Sequence, residues 1–535
     1  MQRRDFLRSG AMAGAAALAA GGRASAATPA ATGGYELDEL SLDQLRAGLE
    51  RGQYTAHALT AAYLKKIAEV DQAGPRVKAV IETNPDALAI ADQLDQERKA
   101  GHVRGPLHGI PILIKDNIDT ADRMQTTAGS LALLGSKPAR DAAVAERLRA
   151  AGAVILGKTN LSEWANIRSS HATSGWSGRG GQTHNPYALD RNPCGSSSGS
   201  GAAASASFCA AAIGTETDGS IVCPSSANGI VGIKPTLGLI SRAGIIPISH
   251  SQDTAGPMAR TVRDAALLLA ALTADATADA ARDPYVAANR GHVERDYTQF
   301  CDANGLKGAR IGVCRKYFGA TEADDYLINL ALGDLRRLGV TVVDPADLPS
   351  FGKFDASEVL VLSYELKADM NRYLAGRAGA PPDLAALIAF NEQHKREEMP
   401  YFGQDLFYAA QAKGPLTSPE YLKALDNDHR QARALGIDAV MDKFKLDALV
   451  APTGGPAWLT DYPNGDHAIG GSSNAAAVAG YPAITVPAGL DYGLPVGITF
   501  FGRAWSEPVL IKLAYAYEQA TRHRTPPRYL ATIPM

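Results

Sequence analysis

The feature that most constrains the fold is the alternation, from Gly105 to about Met258, of short apolar runs with glycine, serine and proline. Residues 110–114 and 153–156 are typical of buried strands, and residues 141–151 are predicted as the helix between them. Strands that alternate with helices predict an α/β fold whose sheet is covered on both faces. We therefore expect one large α/β domain with a mixed β-sheet flanked by helices.

The same alternation continues towards the C-terminus, without an internal repeat or a second linker, and this favours one domain over residues 33–535. It divides into N-terminal helices (35–104), a central segment with the densest glycine and serine (105–260) and the rest of the sheet (261–535). Ser41 and Gln44 predict a capping box, and Thr55 predicts the start of a second helix. Later strands are predicted at 309–314, 340–343, 448–450, 483–486 and 496–500, with helices at 324–338 and after Ser506 and a helical excursion over 382–434.

The first 27 residues differ from the rest of the chain. Arg3 and Arg4 precede a glycine- and alanine-rich apolar run, which is followed by Ala24-Ser25-Ala26. This order is typical of a twin-arginine export signal with an Ala-x-Ala cleavage site. An ordinary N-terminal helix is disfavoured, because glycines and the lack of large apolar side chains make a poor core helix. We expect a mature chain beginning near Ala27, export by the twin-arginine translocase, and a periplasmic or secreted location.

Composition excludes several classes of function. The formal net charge is −3, and no basic block follows the first eight residues, so no nucleic-acid partner is expected. No apolar run reaches the roughly 18 residues of a membrane span, so no stable membrane association is expected after signal cleavage. Five cysteines without CxxC spacing argue against a disulfide framework and a zinc site, and predict buried thiols, with no metal and no cofactor: Cys194, Cys209, Cys223, Cys301 and Cys314.

Residues 192–235 are the most informative segment. The stretch from Cys194 to Ser200 contains three consecutive serines, and the turn from Gly214 to Ile221 contains another serine among glycines and threonines. Such a composition lets a backbone approach a substrate closely and presents hydroxyl and N–H groups to it. A flexible linker is the alternative. It is disfavoured by the alanine-rich run 201–212, which predicts a buried helix beginning at the serines.

Two shorter motifs match here without the context that their chemistry requires. Gly195 to Gly199 fits the GxSxG nucleophile elbow, with Ser197 as nucleophile, but polar turn formers stand where that motif needs a strand. Residues 152–159 fit the phosphate-binding loop, but Ala-Val-Ile-Leu at its centre predicts a buried strand. We reject both interpretations.

Lys115 ends an apolar strand, where a structural ion pair is the ordinary explanation for a lysine. The nearby serines suggest a second explanation, since a serine nucleophile needs a base and no histidine is placed by a local motif to supply one. Burial can make a lysine neutral, because moving its pKa from about 10.4 to near 7 costs about 4 to 5 kcal/mol. The apolar strand before Lys115 offers such burial.

Six segments together resemble the amidase-signature family, and within it the bacterial peptide amidases, from about Leu40 to the C-terminal helix. They are residues 105–111, 115–117, 157–166, 194–200, 214–224 and 251–257. The resemblance implies an amidase that forms an acyl-enzyme and needs no cofactor. It places the catalytic lysine at Lys115, a serine after a cis peptide bond at Ser196, and the nucleophile at Ser220. Cys194 and the third serine of the run match the peptide-amidase branch, whereas the wider family has glycines there.

By this resemblance Ser220 attacks the amide carbon, while Ser196 takes its proton and passes its own to neutral Lys115. Ser197 supports the other two side chains by hydrogen bonding. The resemblance also implies an oxyanion hole made by the backbone N–H groups of Thr217, Asp218, Gly219 and Ser220.

The substrate implied by the resemblance is a C-terminal peptide amide, which yields a free carboxylate and ammonia. Trp164, Asn166 and Trp176 are candidates for lining a peptide groove, with core packing as the alternative. Three other functions stay open: a broad amidase for aryl or aliphatic amides, a component of an amidotransferase that works on charged tRNA, and a non-catalytic binding protein. The export signal argues against the amidotransferase component, and the intact serines and lysine argue against the binding protein.

Overall fold

The structure is a computed structural model that describes residues 34–534. The predicted export signal and its cleavage site lie outside the described residues. Contacts divide the chain into a short N-terminal unit, Met1–Glu36, of which 34–36 are described, and a main unit, Leu37–Met535. The main unit is one α/β domain with a large sheet flanked by helices, which confirms the predicted fold class. Among the described helices, none is long and apolar enough to cross a membrane.

Between residues 34 and 534 the chain forms thirteen strands, and those predicted from apolar runs all occur within a few residues of the expected bounds. They are β1 (Val80–Thr83), β2 (Pro111–Lys115), β3 (Val154–Thr159), β4 (Trp176–Ser177), β5 (Gly181–Gln182), β6 (Ala211–Glu216), β7 (Val231–Lys234), β8 (Thr254–Ala259), β9 (Arg310–Val313), β10 (Thr341–Val343), β11 (Ala448–Pro452), β12 (Ala483–Asp491) and β13 (Leu494–Phe501).

Eleven of these described strands form one mixed sheet in the order β1-β3-β2-β6-β8-β7-β12-β13-β11-β9-β10, and β4 and β5 form a separate pair. Strand β2 runs parallel to both β3 and β6. Strands β6, β8, β7, β12, β13 and β11 are joined by antiparallel pairings, and β11, β9 and β10 by parallel ones. The predicted mixed sheet is confirmed.

The α-helices of the described chain follow in sequence order. They are α1 (Leu42–Glu50), α2 (Ala56–Lys66), α3 (Ala87–Lys99), α4 (Ala143–Ala150), α5 (Ser198–Ser205), α6 (Val222–Ala227), α7 (Val262–Leu272), α8 (Glu322–Arg337), α9 (Asp355–Ala375), α10 (Leu384–Gln393), α11 (Lys395–Glu398), α12 (Asp405–Gln411), α13 (Pro419–Ala432), α14 (Asp438–Phe444), α15 (Asn474–Ala479) and α16 (Glu507–Thr521).

Local signals fixed several of these helices. Ser41 caps α1 in a capping box with Gln44, and the Thr55 hydroxyl accepts the N–H of Ala58 at the start of α2, as predicted. Helices α10, α12 and α13 pack with α9, which makes the predicted helical excursion a bundle of its own beside the sheet. Helix α9 itself lies before the predicted excursion.

The predicted helix over residues 201–212 is wrong in its second half. Helix α5 ends at Ser205, and the chain re-enters the sheet at Ala211 as β6. Alanine has a high helix propensity, but residues 211–213 are fully buried between β2 and β8, and their backbone groups complete the sheet there. Tertiary pairing therefore overrides local propensity at this point.

The prediction of five free thiols is also wrong. Cys194 and Cys223 form a disulfide with a Cα–Cα distance of 6.0 Å. Cys209 and Cys314 are free and buried, as predicted, whereas Cys301 is free but only half-buried. The chain returns through α5 and β6 to bring two cysteines 29 positions apart into bonding distance. Cysteine number and spacing carry no information about such a return.

Candidate active site

Parallel strands bring the predicted catalytic groups to one edge of the sheet. Lys115 is the last residue of β2, and Ser220 lies in the turn between β6 and α6. Because β2 and β6 are parallel, with Ile114 opposite Ile213, the carboxyl ends of both strands lie side by side. Ligand sites of α/β sheets occur at this edge, outside the carboxyl ends of the strands.

Ser196 and Ser197 reach the same edge from the loop before α5. The Gly195–Ser196 peptide bond is cis, and Ser197 is the residue that precedes the first turn of α5. Gly199 lies against the carbonyl oxygens of Ala79 and Asn160, where any Cβ atom would clash. This glycine therefore allows the start of α5 to pack directly on the neighbouring backbone.

The Lys115 amine is surrounded by oxygen atoms. Its Nζ lies 2.8 Å from Ser196 Oγ, 3.0 Å from Ser197 Oγ and 2.9 Å from Thr215 Oγ1. A fourth contact, at 3.3 Å, is to the Thr215 carbonyl. Asn117 donates to the same Thr215 hydroxyl at 3.0 Å, which fixes its orientation. Three of the four oxygens around the amine are hydroxyls, which can donate as well as accept.

Burial sets the protonation of this lysine. Lys115, Ser196 and Ser197 are each 0% exposed. Removal from water lowers the pKa of Lys115 to about 7, although the charges of Asp253 and Glu216 act in the opposite direction. Near neutral pH a large fraction of this amine is therefore uncharged, with a lone pair that can accept a proton from a serine hydroxyl.

Ser220 is the most exposed of the three predicted catalytic residues, at 9%. The Ser197 N–H donates to the Ser220 carbonyl at 3.2 Å, and the disulfide between Cys194 and Cys223 joins the same two segments covalently. The segments that carry Ser196 and Ser220 are thus tied together by one hydrogen bond and one covalent bond. Ser220 thus keeps some exposure to solvent while Lys115 has none, and among the described residues no hydrogen bond joins the Ser220 hydroxyl to Ser196 or Lys115.

The turn before Ser220, residues 217–220, presents a row of backbone donors. Gly219 has φ of +78°, which favours glycine and turns the chain sharply. Among the described residues, no acceptor takes a hydrogen bond from the backbone N–H groups of 217–220. The Glu216 carboxylate accepts the next two N–H groups, those of Ile221 at 2.7 Å and Val222 at 3.0 Å. Free, adjacent N–H groups of this kind can stabilise a developing oxyanion.

Asp253 supports this turn from the side. Its carboxylate accepts the Thr217 hydroxyl at 2.6 Å and the N–H groups of Ile248 and Ser249 at 2.8 and 2.9 Å. Burial raises the pKa of Asp253 to about 6, although the hydrogen bonds oppose the shift. Sequence reasoning gave no role to Asp253 or Thr215, although both lie in or beside segments that carry the family resemblance.

The three residues considered for a substrate groove lie in different surroundings. Trp164 is 2% exposed and packs edge-on against Phe407 within an apolar cluster. Trp176 is 6% exposed and packs between Tyr401 and Phe402. The side chain of Asn166 donates to Ser174 Oγ at 2.9 Å, and the residue before it lines a small cavity together with Thr215 and Thr217.

The rejected motifs have ordinary structural roles. Residues 154–159 form the buried strand β3 instead of a phosphate loop. The Ser197 hydroxyl, which the nucleophile-elbow motif would make the nucleophile, accepts from the N–H of Thr215 at 3.1 Å and donates to its carbonyl at 2.9 Å.

One described group of side chains has the composition of a metal site. His250, Glu365 and Asp369 place their ligand atoms within 4.8 Å of one another. His250 Nδ1 lies 2.7 Å from Asp369 and Nε2 lies 3.2 Å from Glu365, so both ring nitrogens already face carboxylates. Burial alone would lower the pKa of His250, but the hydrogen bond to Asp369 and the charges of Glu365 and Asp369 raise it, and an ion-pair network accounts for the group.

Comparison with known proteins agrees with this geometry. The model of the amidase family matches residues 58–511, and the chain belongs to this family, the amidase-signature enzymes that hydrolyse amide bonds. Its fold is similar to that of the native peptide amidase from Stenotrophomonas maltophilia, with a TM-score of 0.87 and 52% identity over 93% of this chain and 100% of that one.

Two curated relatives are similar over comparable lengths. A probable amidase of Arabidopsis thaliana is 41% identical, covering 93% of each chain. One component of the glutamyl-tRNA(Gln) amidotransferase of Microcystis aeruginosa is 34% identical, covering 91% of this chain and 99% of the relative.

Proposed function

We propose that this amidase hydrolyses C-terminal amides of peptides to a free carboxylate and ammonia, with Ser220 as nucleophile and Ser196 and Lys115 as its proton relay. The observation that carries the proposal is the fully buried Lys115 amine, 2.8 Å from the Ser196 hydroxyl and with a pKa lowered to about 7 by burial. The similarity to a peptide amidase supports the choice of substrate.

The reaction has two stages. Ser220 Oγ attacks the amide carbon as Ser196 Oγ accepts its proton and passes its own proton to Lys115 Nζ. The N–H groups of 217–220 stabilise the oxyanion, and the relay then returns one proton to the departing nitrogen, which leaves as ammonia. Water next attacks the acyl-enzyme through the same relay, and this releases the carboxylic acid and restores the Ser220 hydroxyl.

The test is ammonia release from a panel of peptide amides, aryl amides and short aliphatic amides. We expect Ser220→Ala to lower kcat/KM for peptide amides by at least about 10³-fold without loss of folded protein. Near-normal turnover by this variant would refute the assignment of the nucleophile. Faster hydrolysis of aryl or aliphatic amides than of peptide amides would favour the broader amidase activity.

The same assay distinguishes a self-sufficient amidase from a component of an amidotransferase. Purified single chain that releases ammonia from peptide amides without tRNA or partner proteins is a hydrolase in its own right. Activity that appears only with charged tRNA and partner proteins would contradict our proposal.

We also propose that the protein is exported by the twin-arginine route and works in the periplasm or outside the cell. The pattern of residues 1–27 supports this, and so does the disulfide between Cys194 and Cys223, because disulfides persist mainly in oxidising compartments. Replacement of Arg3 and Arg4 by lysine should retain the protein in the cytoplasm. Unchanged export of that variant, measured by cell fractionation, would contradict the proposal.

A further inference from the structure

A pair of buried acids lies behind the turn 217–220, outside the proton relay. Asp218 belongs to the turn, and its Oδ1 is buried without a donor among the described residues. The Glu358 carboxyl lies close enough to act on the Asp218 carboxyl, and each of the two influences the pKa of the other. Glu358 lies in the first turn of α9 and is 7% exposed. This helix belongs to the bundle beside the sheet, so one side chain from that bundle reaches the turn of the proposed active site.

The side-chain amide of Gln252 provides a second link between Glu358 and the turn. Gln252 Nε2 donates to Glu358 Oε1 at 3.0 Å and to the Thr217 carbonyl at 3.3 Å. Glu358 therefore lies close to the side chain of Asp218 and is linked to the backbone of Thr217 through Gln252. These are two successive residues whose N–H groups face the proposed oxyanion.

Elementary chemistry fixes the protonation of the pair. Ionised carboxylates only accept hydrogen bonds, so a hydrogen bond between two carboxyl groups requires a proton on one of them. Burial, followed by the charge of Asp218, raises the pKa of Glu358 to about 9. A buried carboxylic acid that stays neutral near pH 7 can serve as a donor.

We propose that Glu358 is a positioning residue which, as a neutral carboxylic acid, holds the oxyanion turn by donating a hydrogen bond to Asp218. The inference rests on the proposed function, because it assigns a support to the turn before Ser220. Loss of the proton leaves two facing carboxylates, whose repulsion pushes α9 and the turn apart. The N–H groups then leave the positions that the transition state requires.

Other charged groups near the pair also influence the pKa values of Asp218 and Glu358. Asp428, from α13, faces Glu358, and its negative charge helps to keep the proton on Glu358. Lys234, from β7, and Asp355, from α9, act on Asp218 with opposite signs. Burial lowers the pKa of Lys234 to about 8, so this lysine also titrates in the alkaline range. Tyr317 lies near Asp218 as well, and burial raises the pKa of its phenol well above the usual value.

The experiment measures kcat and KM for a peptide amide from pH 6 to 10.5 in wild type, Glu358→Gln and Glu358→Ala. In wild type we expect kcat to fall above about pH 9, where Glu358 ionises. Glutamine keeps the shape and the donor but cannot ionise, so Glu358→Gln should retain kcat at pH 7.5 within about threefold and lose the alkaline fall. Glu358→Ala should lower kcat about 10- to 100-fold with little change in KM, because the lost support acts on the transition state.

Two outcomes would overturn the inference. An alkaline fall that persists unchanged in Glu358→Gln assigns the titration to another group, such as Lys234. Wild-type kcat in Glu358→Ala removes the positioning role, and if that variant does not fold, Glu358→Gln alone decides. Loss of activity in Ser220→Ala together with either outcome leaves the proposed function intact, whereas full activity of Ser220→Ala rejects the proposed function itself.

Asp428→Asn is the matched control, since Asp428 acts on Glu358 through its charge and its described hydrogen bond comes from Ser357, outside the turn. Removal of this negative charge makes ionisation of Glu358 easier, so the alkaline fall should move to lower pH while kcat at pH 7.5 stays near wild type. An unmoved midpoint counts against Glu358 as the titrating group.

Discussion

Two lysines on neighbouring parallel strands have the same burial and different surroundings. Lys115 ends β2, Lys158 lies one residue before the end of β3, and both are 0% exposed. Lys115 contacts three hydroxyl groups and one carbonyl, whereas Lys158 contacts the Ile118 carbonyl at 2.6 Å and the Thr126 hydroxyl at 2.8 Å.

The charges around the two amines also differ. Burial lowers the pKa of both, to about 7 for Lys115 and about 8 for Lys158. Four carboxylates oppose the shift of Lys158, with Asp116 and Asp119 first among them, and two oppose that of Lys115. Burial alone therefore does not make a base. The base is the amine whose nearest partners are hydroxyls that can pass on a proton.

The largest expected effect comes from Lys115→Ala. Removal of the amine leaves Ser196 without a proton acceptor, so kcat for peptide amides should fall by about 10³-fold or more. The measurement is ammonia release by protein whose thermal unfolding is still cooperative. A loss below about tenfold in folded protein would remove Lys115 from the relay and end the contrast between the two lysines.

Lys158→Met tests the other side of the comparison. Removal of this amine leaves the buried Ile118 carbonyl and Thr126 hydroxyl without their donor, while Asp116 and Asp119 keep Arg179 and Arg377 as counter-charges. We therefore expect the free energy of unfolding to fall by about 1 to 3 kcal/mol. Denaturant titration measures that loss. Activity per folded molecule should stay within about threefold of wild type, because Lys158 contacts none of the catalytic side chains. A loss of kcat as large as that of Lys115→Ala would show that a buried lysine without contact to the serines also takes part in catalysis.

The smallest of the three effects is the acid side of the pH profile. The pKa of Lys115 is lowered from its usual value to about 7, and the uncharged amine is the active form. Below that pH the amine gains a proton, and kcat/KM should fall about tenfold per unit, while above it the rate levels off. The same limb should appear in Lys158→Met. A midpoint near 8 that disappears in that variant would identify Lys158 as the titrating group instead.

The periodicity of apolar residues predicted many of the strands and helices. Buried strands such as 110–114 and helices such as the one capped by Ser41 follow from local signals, which do not depend on distant residues. The error at 201–212 has the opposite origin, because the alanine run at 211–213 was assigned by its helix propensity, and only the neighbouring strands β2 and β8 make it a strand.

By itself the sequence determined the strand that ends at Lys115, the serine-rich loop and the turn before Ser220, since each depends on residues adjacent in the chain. Only the tertiary structure decided that Cys194 meets Cys223 and that Glu358, which no motif marks, reaches Asp218. It also decided which buried lysine meets the serine hydroxyls. The reason is physical: the pKa of a buried group and its bonding partners depend on what surrounds it in space, and residues far apart in the chain supply those surroundings.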